Sequence, residues 1–219
     1  MALTTLPTAA LANDAVDNTK LDLADNYAFT GTISGIPNDI ELISTNHITT
    51  ASVPTCDFTS FSNDYTHLIV KISDFEPSGN NGQLVVRLQT TGSGGFASGS
   101  GVYENTRTRV YAVGTNFTSN QSGFTQNYGV GGLGQNSSGN GYFESGSHGD
   151  FYFNNIHSTT RGKGYWGVFW GGTDSGNSCH QVNGCTFVGS GRQDPLTGIR
   201  FLSTSGDIKG RFSLYGVRT

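Results

Sequence analysis

Two cysteines and a histidine fall within Cys179-His180-Gln181-Val182-Asn183-Gly184-Cys185, the chain's most concentrated group of metal-ligating and nucleophilic residue types. A structural zinc site takes four such ligands, usually as two spaced pairs, and no second pair stands at ligand spacing. A local disulfide is no better supported. If Asn183-Gly184 forms a two-residue hairpin turn, Val182 pairs with Cys185 and Cys179 lies on the opposite face. If Asn-Gly is instead a bulge in one strand, that argument lapses. Buried or half-buried thiols are the default expectation. With Cys56 the count is three, which argues against a disulfide framework and fits assembly in a reducing cytoplasm.

Hydrolysis of a glycan asks for two carboxylates across a cleft. Glu104, Glu144, Asp150 and Asp174 are the candidates in loop-rich regions, but no spacing pairs them. Gly99-Ser100-Gly101 and Gly189-Ser190-Gly191 sit in loops, away from the strand-to-helix setting of a nucleophile elbow. His148 and His157 flank a strand and read as loop residues. The sequence therefore predicts no catalytic residue, no metal and no cofactor.

Aromatic residues among Gly, Asn and Ser have a different use. Their flat faces can stack on sugar rings while nearby amides and hydroxyls meet the sugar hydroxyls. Tyr142, Tyr165, Trp166 and Trp170 are the candidates for ligand binding. The plain alternative, packing in the core or at a subunit interface, applies above all to the two Trp.

These residues must be held by sheet. The chain has 219 residues, of which 32 are Gly, 14 Phe and 9 Tyr, and only 13% are charged. That many large aromatics can bury enough surface to offset chain entropy, and no 3.6-period stripe runs through the sequence. Period-two alternation does. It appears at His67–Ser73, Gln83–Gln89, Arg107–Gly114 and Asp150–Asn154, with a shorter apolar run at Ile40–Ile43. Tyr165 to Trp170 is apolar at both parities, which predicts a strand covered on both sides. Ile199 and Phe201, then Phe212 and Leu214, flank Ser205-Gly206-Asp207, which predicts a terminal β-hairpin. Residues 92–105 and 115–148 read as outward loops. Short strands between turn-rich loops predict an all-β fold, an antiparallel β-sandwich of jelly-roll type.

Net charge is −4 with dispersed Lys and Arg, so no basic stripe for nucleic acid exists. No apolar run approaches the length of a membrane span. The opening residues lack the basic n-region of a secretory signal. Residues 1–35 differ from the rest, with no aromatic before Tyr27. Their apolar residues, Leu3, Leu6, Leu11, Val16, Leu21 and Leu23, are too sparse for a core but regular enough to order against a partner. The expected organisation is an N-terminal attachment arm, 1–35, and a sandwich head domain, 36–219.

Four segments carry a family resemblance. They are Ile43-Ser44-Thr45 with Cys56-Asp57-Phe58-Thr59-Ser60-Phe61 and Asn63 to Val70; Glu76-Pro77-Ser78 through Leu88; Gly149-Asp150-Phe151-Tyr152-Phe153-Asn154-Asn155 with Ser158 to Arg161; and Thr197 to Phe201 with Ser205 to Ile208 and Leu214 to Val217. Across about residues 40–217 the chain resembles virion proteins of short-tailed marine and cyanobacterial phages. Asn13-Asp14-Ala15-Val16-Asp17-Asn18-Thr19-Lys20-Leu21 is similar to the stalk wording of phage tail fibres, although no repetitive shaft follows. The resemblance implies a non-enzymatic homotrimer on the virion surface, attached to tail or capsid proteins through the arm. In its tail-fibre form such a protein adheres to host surface glycans. The same resemblance admits a capsid-decorating protein that stabilises the shell, and a surface-glycan depolymerase.

Overall fold

A computed structural model describes residues 40–79, 82–113, 116–126, 128–130, 147–172 and 178–218. The arm residues Leu3, Leu6, Leu11, Val16, Leu21 and Leu23 lie outside them, as does Tyr142. Among the described residues there is no helix. Twelve strands form in order: β1 (Ile40–Val53), β2 (Thr55–Thr59), β3 (His67–Pro77), β4 (Leu84–Thr90), β5 (Tyr103–Val113), β6 (Asn116–Gln126), β7 (Gly129–Val130), β8 (Ser147–Phe153), β9 (Gly164–Gly172), β10 (Ser178–Phe187), β11 (Leu196–Ser203) and β12 (Ile208–Val217).

Alternation makes these strands. β8 buries Ser147, Gly149, Phe151 and Phe153, and its other face is half-exposed. β3 does the same with Leu68, Val70 and Ile72 against Lys71. Such ribbons must cover their apolar face with a second sheet. The larger sheet runs β1-β12-β3-β8-β9-β10-β5-β6, and the smaller runs β2-β11-β4-β7.

Eight of these strands form a kernel with jelly-roll order, β1-β12-β3-β8 and β2-β11-β4-β7. β1 pairs β12, β2 pairs β11, β3 pairs β8 and β4 pairs β7, all antiparallel. This is one long hairpin rolled up so that every kernel connection except β4 to β7 changes sheet. The remaining strands are two insertions, β5-β6 and β9-β10, both added beyond β8. The larger sheet therefore extends four strands past the kernel.

Aromatic rings join the layers. Phe201 on β11 is fully buried, and its ring centroid lies 5.6 Å from Phe151 on β8 and 5.6 Å from Phe212 on β12. Phe58 on β2 meets it edge-on at 6.4 Å. Tyr103 ties the β5 insertion to the kernel. Its hydroxyl accepts from the Leu88 amide (2.8 Å) and donates to the Ala97 carbonyl (3.2 Å). At the loop end, Lys163 is buried and its ammonium donates to the carbonyls of Ser158 (2.5 Å), Arg161 (3.1 Å) and Gln193 (3.2 Å). Burial pulls the Lys163 pKa down from the ordinary lysine value, and Asp194 opposes the shift.

The structure corrects three expectations. β11 and β12 are not a hairpin: β11 pairs β2 and β4, while β12 pairs β1 and β3. Residues 204–207 are a corner between sheets, with Gly206 at φ 73° and the loop fastened to Ser78 through Asp207. A hairpin and a corner both bring Phe201 and Phe212 together, so alternation could not separate them. Second, 116–126 is strand rather than loop, paired with β5 from Val113↔Asn116 to Tyr103↔Gln126. It lies at the edge of the overhang and is written largely in Ser, Asn, Gln and Thr, so it shows no apolar period. Third, β9 is covered on one face only, since Trp166 and Trp170 are exposed.

Replacing Phe201 with Ala should destabilise the fold by about 3–5 kcal/mol, read from urea unfolding. Lys163→Met should cost about 3 kcal/mol or more, because buried carbonyls lose their donor. Lys163→Met with unchanged stability would show that the lysine clamp contributes nothing.

Candidate functional site

Among the described residues, the exposed tryptophans lie on the outer face of the larger sheet. On β9, Tyr165, Gly167 and Phe169 point inward, so Trp166, Val168 and Trp170 point out. Gly167 is what lets Phe151 lie across the strand: a Cβ there would come within 2.6 Å of its ring. Trp166 is 44% exposed and Trp170 39% exposed.

Register fixes their neighbours. One row across the sheet reads Leu42–Tyr215–Ile69–Tyr152–Trp166–Gly184–Thr106. Another reads His148–Trp170–His180–Val110. Between them, Asp150, Val168, Val182 and Thr108 form a third row. Val182 is 50% exposed and Val110 is 40% exposed. Two ion pairs stand on this face among the described residues: Lys71 with Asp150, 3.7 Å apart, and, between β12 and β3, Lys209 with Glu76. The result is a flat, apolar, charge-poor surface of a kind that soluble monomers usually keep small.

Ring geometry makes part of it a site. Tyr152 and Trp166 stack with centroids 4.1 Å apart and planes 9° apart. Neighbouring strands are about 4.8 Å apart, so face-to-face contact across them requires both rings to stand up from the sheet. Tyr152 therefore buttresses one face of Trp166. The other face looks over Gly184, which has no side chain, toward Thr106, whose hydroxyl donates to the Gly184 carbonyl (3.4 Å). The outcome is a slot one strand wide, with an indole wall and a glycine floor. Trp170 is flanked by His148, stacked at 6.2 Å and 28°.

The other predicted residues fare differently. Tyr165 is only 4% exposed, with its ring 5.8 Å from Phe151 and 5.3 Å from Phe153. It is core, and no face of it is open to a sugar, which corrects its assignment as a ligand residue. The error is one of parity: Tyr165 and Trp166 are adjacent and so face opposite ways. Tyr152, Val182 and Gly184 went unnoticed as site residues. The alternation Phe151/Tyr152/Phe153 marked Tyr152 as outward, but nothing in sequence placed it beside Trp166.

β10 runs unbroken through Asn183-Gly184, so no turn separates the cysteines. Six residues of strand put Cys179 and Cys185 about 20 Å apart, far beyond disulfide reach. Among the described residues no group of three or more His, Cys, Asp and Glu could hold a metal ion. Burial pushes the thiol of Cys185 up to about 12 and that of Cys56 to about 11. Glu104 and Asp150 lie three strands and four residues apart in register, about 20 Å, too far to act as a carboxylate pair. Glu144 and Asp174 lie outside the described residues.

No family model matches the chain, and no curated protein matches it. One solved structure is similar: a double mutant of the alginate lyase Aly36B in complex with alginate tetrasaccharide. The identity is 10%, the match covers 80% of each chain, and the TM-score is 0.26. A likeness at that level bears on neither activity nor ligand.

Native protein at pH 8 should leave Cys56 and Cys185 unmodified by a thiol reagent, and urea should expose both, as read by mass spectrometry. Below about pH 9 both thiols are protonated in folded and unfolded chains alike. Between there and pH 11–12 only the unfolded thiols ionise, so stability should fall as pH rises through that window.

Proposed function

We propose that the protein is a non-enzymatic structural protein of a phage virion, a short tail fibre or receptor-binding protein whose head adheres to host surface glycans. The observation that carries the glycan reading is the upright Trp166, braced by Tyr152 on one side and open over Gly184 on the other. A pyranose presents an aliphatic C–H face that packs on such a ring, while its rim hydroxyls reach groups such as Thr106. A wall held by packing needs little ordering when a ligand arrives, so less free energy is lost on binding. The virion role rests on the sequence resemblance over about residues 40–217 and on the stalk-like wording of residues 13–21. By that resemblance the protein is a homotrimer on the virion surface, attached through residues 1–35.

Two substitutions test the slot. Trp166→Ala removes the wall, and Gly184→Val fills the floor and displaces the Thr106 hydroxyl, which lies 2.7 Å from where a Cβ would stand. Each should weaken binding to a panel of bacterial surface polysaccharides about tenfold while the far-ultraviolet spectrum stays unchanged. Binding unaffected by both would end the glycan reading. A change in oligomer mass without a change in glycan binding would make this face a subunit contact instead. Labelled particles should carry the protein at the tail; label over the shell would replace the tail role with capsid decoration.

A further inference from the structure

The outer face of the smaller sheet holds a charge arrangement that the fold does not need. Arg200 on β11 stands in register with Asp57 on β2 and, on its other side, with Arg87 on β4. Two like charges directly opposite on neighbouring strands repel. Asp57 neutralises one of them: it accepts from Arg200 Nε at 2.8 Å and from Nη2 at 2.6 Å. The Phe96 ring lies 4.1 Å from the same guanidinium. The hydrogen bond to Asp57 raises the Arg200 pKa further, so this guanidinium stays charged.

Arg87 has no such support. It is half-buried, and its Nε is sealed from solvent without a hydrogen-bond partner. Among the described residues no carboxylate pairs with it. Gln89, two residues along β4 on the same face, adds an amide. A partly desolvated guanidinium without an acceptor is costly, and here the cost is compounded by a second cation beside it. Other cations do have partners: Lys163 has three carbonyls, Lys209 has Glu76, and Arg218 has Glu41.

We propose that Arg87, beside Arg200, is the anchor of an oxyanion-binding site that takes a carboxylate or phosphate group carried by a ligand. A guanidinium offers two parallel N–H donors that match two oxygens of either group. The bound oxyanion gives the guanidinium the counter-charge that no described carboxylate supplies and offsets the repulsion between the two arginines. The site is on the opposite sheet from Trp166 and does not depend on the stacking reading.

The full chain is titrated at low ionic strength with a galacturonic acid hexamer, with glucose 6-phosphate and with a neutral glucose hexamer, following heat of binding and Tm. An anionic probe should bind and raise Tm, and Arg87→Gln should weaken that binding about tenfold or more. Arg87→Lys keeps the charge but loses the fork, so it should fall between. Any response to the neutral hexamer should be the same in wild type and variant. A response to the uronate alone assigns the site to sugar carboxylates, one to the phosphate alone assigns it to phosphorylated ligands, and one to both assigns it to either oxyanion. Without probe, Arg87→Gln should melt no lower than wild type, because it removes a like-charge contact. The proposal is overturned if neither anion binds wild type, if binding survives Arg87→Gln undiminished, or if that variant alone melts substantially lower.

Discussion

The contact between Phe201 and the rings of Phe58, Phe151 and Phe212 is the constraint on which the sandwich depends. Each partner comes from a different strand, and the four rings span both sheets. A ring of this size buried on all sides contributes about 2–3 kcal/mol from burial alone, with edge-to-face geometry adding to it. The seam also sets parity. Once Phe151 and Phe201 face each other, every residue of odd spacing from Phe151 on β8 must face out, and so must the neighbours of Phe201 on β11. Tyr152, Asp150 and Arg200 owe their exposure to that one packing decision.

The second determinant is the mismatch between the layers. Eight strands lie in one sheet and four in the other, because both insertions joined the larger sheet beyond β8. An eight-strand jelly roll has two equal layers and outer faces of similar extent. Here the added strands widen one outer face, and β9 places Trp166 and Trp170 on it. The inward side of this overhang is more polar than the kernel core, with Gln181, Asn183 and Asn105 buried there. The sheet thus changes character along its width, from an aromatic seam under β8 to buried amides under β10 and β5. The flat apolar surface and the polar underside share the same strands.

Much of this is legible in the sequence alone. Alternation gave β3, β4, β8 and the core positions of Phe201 and Phe212, because one buried face leaves a period-two mark on the sequence. It failed where that mark was absent or ambiguous. β6, at the outer edge of the overhang, has little apolar face to write. Tyr165-Trp166-Gly167-Val168-Phe169-Trp170 is apolar at both parities, so it looked doubly covered, and Tyr165 and Trp166 were read together as ligand residues. A second layer over β9 was a reasonable inference from composition, but nothing in a single strand records whether another sheet lies above it.

The sequence by itself determined the class of fold and the faces of most strands, because burial of one face is a local property repeated every second residue. It also identified Trp166 and Trp170 as aromatic residues with a possible surface role. Only the tertiary structure decided which strands are neighbours. That decision turned the expected terminal hairpin into a corner between sheets, since a four-residue connection permits either. It set Tyr152 against Trp166 and left Gly184 beside it, and on the other sheet it set Arg87 against Arg200. Pairings between residues 14 to 113 positions apart follow from strand order, and strand order is fixed by the packing of the whole core.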